Sequence, residues 1–93
     1  MRNLRRNINW NPDAWAEYLA WLEQDRTLFA RINLLIGECL RTPFTGTGKP
    51  EPLRHDLQGY WSRRITAEHR LVYRVTDEEI RLVSCRTHYQ KKK

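Results

Sequence analysis

Between Thr42 and Pro52 the chain reads TPFTGTGKPEP, with three prolines and two glycines in 11 residues. Proline lacks the N–H that a helix interior or a central strand needs, and glycine is costly to order there. No helix crosses such a stretch, so it reads as an ordered loop that divides the chain in two. With 93 residues in all, neither half is large enough to bury a core alone. The halves must pack on each other, and a single domain over 1–93 is expected.

The half before the loop has helical spacing. Asn11-Pro12-Asp13 is a helix start: Asn can cap, Pro suits the first helical position and Asp favours the positive end of the dipole. Trp15, Tyr18, Leu19 and Leu22 follow as the apolar face. Gln24-Asp25 interrupts the pattern, and Asp25 can cap a second helix. Leu28, Phe29, Ile32, Leu35, Ile36, Cys39 and Leu40 trace its stripe to about residue 41. The short join makes an antiparallel helical hairpin. Ahead of it, LRRNINW (4–10) reads as one short strand.

The half after the loop has strand spacing. Tyr60–Ile65, Arg70–Val75 and Ile80–Arg86 alternate in character and are separated by the turns Thr66–His69 and Thr76–Glu79. Leu53–Leu57 reads as a further short strand. Turns this short make neighbours antiparallel. The expected fold class is therefore α+β, with an N-terminal helical hairpin packed on an antiparallel β-sheet. The second face of that sheet is left free to carry function.

Charge is distributed unevenly. Residues 1–9 carry +3, residues 10–40 carry −3, and residues 41–93 carry +6 from twelve basic and six acidic side chains. A positive field on the strand half attracts a polyanion, RNA or DNA being the usual one. No apolar run approaches the roughly 20 residues of a membrane span, and no apolar segment follows the N-terminal arginines as a signal peptide requires. Cys39 and Cys85 are too few for a disulfide scaffold or a zinc site, so a cytoplasmic setting is expected. No phosphate-binding glycine motif and no histidine pair at metal spacing is present.

What remains is an acid, a cation and a histidine in the basic half. Glu51 stands between Pro50 and Pro52, which restrict its backbone. Arg70 opens a strand on the face opposite Leu71 and Tyr73, and His88 closes the last strand beside Tyr89. Taken singly, each has a plain reading: a solvated loop glutamate, a cross-strand ion pair, a packed histidine. Taken together they match the needs of RNA self-cleavage. That reaction uses a base for the 2′-hydroxyl, a cation for charge on the phosphoryl oxygens and an acid for the departing 5′-oxygen.

The runs GKPEPL (48–53), YWSRRIT (60–66) and EHRLVY (68–73), with His88-Tyr89, resemble the Txe/YoeB family of bacterial toxins within the RelE/ParE superfamily. The likeness extends back through NPDAWAEYLAWLEQD (11–25). It implies a microbial-ribonuclease-like fold and a ribosome-dependent mRNA endoribonuclease that cuts the codon in the A site and stops translation. It implies metal-independent acid–base chemistry without a cofactor, a YefM-like antitoxin, the 70S ribosome and mRNA as partners, and a homodimer. Carried over by position, Glu51 is the general base, Arg70 the phosphate-stabilising arginine, His88 the general acid and Tyr89 a substrate-placing tyrosine. Lys49, Arg54, Arg63 and Arg64 match basic positions around an RNA-binding cleft. The segments 1–6 and 90–93 are basic extensions, the latter adding Lys91, Lys92 and Lys93 as RNA-binding cations. Two other readings share the same basic sheet: a non-catalytic ribosome- or RNA-binding module, and a ParE-like toxin that inhibits gyrase. Neither requires the four residues Glu51, Arg70, His88 and Tyr89.

Overall fold

The computed structural model describes residues 6–86. Strand β1 (Asn7–Trp10) leads into helix α1 (Pro12–Gln24) and helix α2 (Arg26–Arg41). After the loop come β2 (Glu51–Pro52), a 3₁₀ turn (His55–Leu57), β3 (Tyr60–Arg64), β4 (Arg70–Val75) and β5 (Glu79–Ser84). The strands form one sheet in the order β1-β5-β4-β3-β2. The architecture is the expected α+β one.

The sheet is mixed rather than wholly antiparallel, because β1 pairs with β5 in parallel. Short turns fix β3, β4 and β5 as antiparallel, but no turn joins β1 to β5, and some 70 residues separate them. What sets the direction is the exit of β1. The Asn11 N–H donates to the Leu82 carbonyl at 3.0 Å. Pro12 then starts α1, which returns across the sheet.

The two turns share one construction. Thr66 Oγ1 accepts from the N–H groups of Glu68 and His69, and Thr76 Oγ1 accepts from those of Glu78 and Glu79. A threonine hydroxyl thus replaces the missing ladder partner at each reversal. Of the helix starts, Asp25 caps α2 by accepting from the Leu28 N–H at 3.0 Å, whereas the Asn11 side chain makes no capping bond.

The core lies between the hairpin and one sheet face. Ile32, Leu35 and Cys39 of α2 are fully buried against Leu71, Tyr73, Ile80 and Leu82. The α2 stripe is as expected, but that of α1 is rotated. Ala14 and Trp21 enter the core, while Trp15 and Leu19 are 45% and 42% exposed. Trp15 instead joins an aromatic cluster with Trp10 and Tyr18, and Tyr18 stacks on Phe29. Truncating Ile32 or Leu35 to alanine would cost about 2–5 kcal/mol.

Arg6 lies outside β1 and Glu79 inside β5, and three further strand boundaries differ from expectation. No strand runs over 53–57, because His55 takes a φ of 58° and the Leu57 N–H turns back to the Arg54 carbonyl. The third strand stops at Arg64, since Ile65 donates into the following turn at His69. The last strand stops at Ser84, where the Cys85 N–H leaves the ladder for the Glu17 carboxylate of α1 at 2.8 Å.

Candidate active-site face

Strand alternation sorts the side chains of β3 and β4 into two groups. Residues directly opposite each other in a ladder share a face. Glu51 stands opposite Ser62, Ser62 opposite Val72, and Val72 opposite Ser84. Two residues along, Arg64 stands opposite Arg70, and in the other direction Tyr60 stands opposite Arg74. None of these belongs to the core packed under the helices. They line the opposite face, which is open at Glu51, Arg64 and Arg74, carries Arg70 half-buried, and is covered at Ser62 and Val72.

The register also sets the spacing of the two principal candidates. Glu51 and Arg70 lie two strands apart and two residues apart in register, which puts their Cα atoms roughly 12 Å from each other. An extended arginine and a glutamate on one face close much of that distance, leaving room for a phosphodiester and its ribose. Arg70 Nε is shielded from solvent and has no hydrogen-bond partner among the described residues. A buried N–H left unpaired is costly, so an incoming acceptor would relieve it. Arg74 differs, since its guanidinium lies 5.6 Å from the centre of the Tyr60 ring.

Lys49, Arg54 and Arg64 are exposed, as RNA-binding cations should be. Arg63 is not, and its expected place beside the cleft is corrected: it is 0% exposed and lies on the core face. Its donors are spent inside the protein. Nε donates to the Tyr73 hydroxyl at 3.1 Å. Nη1 donates to Glu38 Oε1 at 3.1 Å and to the Thr47 carbonyl at 3.0 Å. Nη2 donates to the carbonyls of Thr42 and Thr45 at 2.6 and 2.8 Å. The physical reason is alternation: two adjacent arginines in a strand cannot share a face. The sequence therefore carried the signal for one buried arginine, in a strand already read as such.

Around Arg63 stand three residues that sequence reasoning did not single out for the site: Glu38, Thr47 and Tyr73. Glu38 accepts from both the N–H and the hydroxyl of Thr47, at 2.9 and 2.6 Å. The Thr47 hydroxyl and N–H, and then Arg63, hold the Glu38 carboxyl below its ordinary range. The Tyr73 hydroxyl donates to the Pro43 carbonyl at 2.8 Å, and burial pushes its ionisation up. Gly46 and Gly48 have φ of 116° and 87°, and a Cβ on Gly46 would stand 2.5 Å from Glu38 Oε1. Glycine is needed at 46 because the loop wraps this closely around the carboxylate, and at 48 because a Cβ there would stand 3.0 Å from the Arg64 carbonyl oxygen of β3.

His88, Tyr89, Lys91, Lys92 and Lys93 lie outside the described residues. The chain leading to them is held from α1. Trp21 Nε1 donates to the Cys85 carbonyl at 2.8 Å. The Arg86 guanidinium lies 4.3 Å from the centre of the Trp21 ring and donates to Gln24 Oε1 at 2.9 Å. Burial pushes the Cys85 thiol up to about 12, so it behaves as a packing group.

Known proteins match the chain along most of its length. A model of the YoeB-like toxins of bacterial type II toxin–antitoxin systems matches residues 10–89. Toxin YoeB of Mycobacterium bovis is 56% identical over 84 residues, covering 90% of this chain and 99% of that protein. The YoeB dimer from Staphylococcus aureus superposes with a TM-score of 0.85 at 43% identity, covering 91% of this chain and 99% of that one. YoeB in the heterotetrameric YoeB–YefM toxin–antitoxin complex of the same organism superposes at 0.83, with the same identity and coverage. The match spans both helices, the loop and the sheet, so the chain belongs to the YoeB-like toxin family of bacterial type II toxin–antitoxin systems.

Proposed function

We propose that this toxin is a ribosome-dependent endoribonuclease that cleaves mRNA in the A site and so halts translation. The observation that carries the reading is the register that puts Glu51 and Arg70 on one open, arginine-lined face. In the proposed reaction Glu51 takes the proton of the 2′-hydroxyl, and the 2′-oxygen attacks the adjacent phosphorus. Arg70 stabilises the charge that builds on the phosphoryl oxygens. His88 gives a proton to the 5′-oxygen as the P–O bond breaks, while Tyr89 helps to place the substrate. The products are a 2′,3′-cyclic phosphate and a 5′-hydroxyl, and protons and electrons balance without a metal or a cofactor.

Lys49, Arg54 and Arg64, with Lys91, Lys92 and Lys93, hold the RNA backbone as phosphate-binding cations. A YefM-like antitoxin silences the toxin, as the S. aureus complex supports, and the toxin pairs as a homodimer, as the S. aureus dimer supports. An acidic antitoxin segment would complement the +6 carried by residues 41–93.

Primer extension on a defined mRNA, with and without 70S ribosomes, tests the reading. A ribosome-dependent cut whose upstream fragment ends in a 2′,3′-cyclic phosphate is expected. Ribosome binding without a cut would favour a passive binder. Inhibition of gyrase with intact mRNA would favour the ParE-like activity.

A further inference from the structure

We infer that the cluster of Glu38, Arg63 and Tyr73, in which Arg63 and Tyr73 are fully buried and Glu38 is half-buried, is the positioning device for Glu51, acting through the loop that precedes it. The inference rests on the assignment of Glu51 as the general base.

Glu51 needs such a device because its own strand is too short to hold it. β2 has two residues, lies at the sheet edge and includes a proline, so its ladder with β3 offers few bonds. Upstream, the loop is held at one point after another by β3. The Arg63 side chain binds the carbonyls of Thr42, Thr45 and Thr47, and the Arg64 N–H binds the Gly48 carbonyl at 2.7 Å. Tyr73 adds Pro43, and Glu38 adds both donors of Thr47. Only Lys49 and Pro50 separate the last of these anchors from Glu51. Lys49 has a φ of 51° and Pro50 a fixed one, so little freedom remains between anchor and carboxylate. The polar groups of the cluster bond one another and the loop on the core face, away from the face that carries Glu51 and Arg70, so its members are positioning residues rather than catalytic ones.

The test uses the toxin in excess over mRNA-programmed ribosomes, so that one cleavage event is timed at saturation. Glu38→Ala should lower the saturating rate constant by roughly 10–100-fold while the half-saturating concentration stays within about twofold, as a misplaced base requires. An unfolded fraction would instead shift half-saturation and leave the saturating rate unchanged. Glu38→Gln should recover most of the rate. Its amide oxygen still accepts from Arg63 and the Thr47 N–H, and its NH₂ can donate to the Thr47 hydroxyl. Tyr73→Phe keeps the ring and should cost a smaller, several-fold loss. In a Glu51→Ala background, Glu38→Ala should add no further loss, because both changes remove the same function.

Independently of cleavage, the Thr47 amide should exchange its hydrogen faster in Glu38→Ala while the Leu71 amide is unchanged. A full saturating rate for Glu38→Ala, or an equal loss with and without Glu51, would overturn the inference. If Glu51→Ala itself cleaved at the wild-type rate, the base assignment would fall and the inference with it. A slow Glu51→Ala beside a fast Glu38→Ala would remove the positioning role alone.

Discussion

Arg63 and Arg64 are neighbours in β3, yet they belong to different regions of the molecule. Arg63 points to the helix face, where it is fully buried and every guanidinium nitrogen has a partner within the chain. Arg64 points to the open face with Arg70 and Arg74 and is exposed to solvent. One arginine organises a loop and the other is available to a ligand. Positive charge therefore has two uses here. On the closed face it is consumed by carbonyls and a carboxylate, and only on the open face does it contribute to the field that would draw RNA. A count of basic residues merges these two populations, and burial separates them.

The largest expected effect sharpens the open side of the comparison. Glu51→Ala should slow single-turnover cleavage on saturating ribosomes by roughly 10²–10⁴-fold, the usual cost of a lost proton-transfer group. Its urea midpoint should stay near that of the parent, because Glu51 is exposed and outside the core. The next effect belongs to the closed side. Arg63→Ala removes a fully buried guanidinium and strands the loop carbonyls that accept from it, so it should cost about 1–3 kcal/mol or more in urea unfolding. Arg64→Ala should stay within about 0.5 kcal/mol of the parent and weaken ribosome binding instead. Equal stability losses for the two would erase the distinction between the faces.

A pH experiment probes the closed side more gently. The Glu38 carboxyl is held below its ordinary value of 4.5, chiefly by Thr47 and then by Arg63. A depressed folded value means that the ionised carboxylate adds stability above the unfolded value and loses it as pH falls through the folded one. The stability gap between the parent and Glu38→Gln should therefore be constant near neutral pH and narrow below about pH 4.5. A gap unchanged down to pH 3 would mean that the carboxylate charge adds nothing beyond its hydrogen bonds. The smallest effect concerns the tail. Deleting Lys91–Lys93 should raise the half-saturating ribosome concentration and lower the log–log salt slope by roughly 2–3. The saturating cleavage rate should not change. A slower saturating rate would bring the tail into the catalytic site.

Much of this was legible in the sequence where the cause was local. The proline- and glycine-rich loop, the α2 stripe, the Asp25 cap and the two threonine-built turns all follow from neighbouring residues. The pairing of β1 with β5 was not legible, because it is set by the return of α1 and not by a turn. The inward face of α1 was misjudged for a related reason. Trp15 and Leu19 are apolar enough for the core, but the direction in which β1 leaves the sheet turns Ala14 and Trp21 inward instead. In the site, Glu51 and Arg70 were legible as chemistry, and the register supplies their common face. Glu38 was not, because a helical glutamate beside a buried stripe reads as solvated until Thr47 and Arg63 are seen to close over it.

The central claim is that the open face cleaves RNA while the closed face holds the machinery in place, and Arg70 tests it most directly. Arg70→Ala should be measured for single-turnover cleavage of ribosome-bound mRNA at saturation, with its urea unfolding curve taken on the same preparation. The account predicts a rate constant lower by about 10²–10³-fold, the cost of a lost charge stabiliser, with the unfolding midpoint unchanged. A cleavage rate within twofold of the parent, or a rate loss matched by a loss of stability, would contradict it.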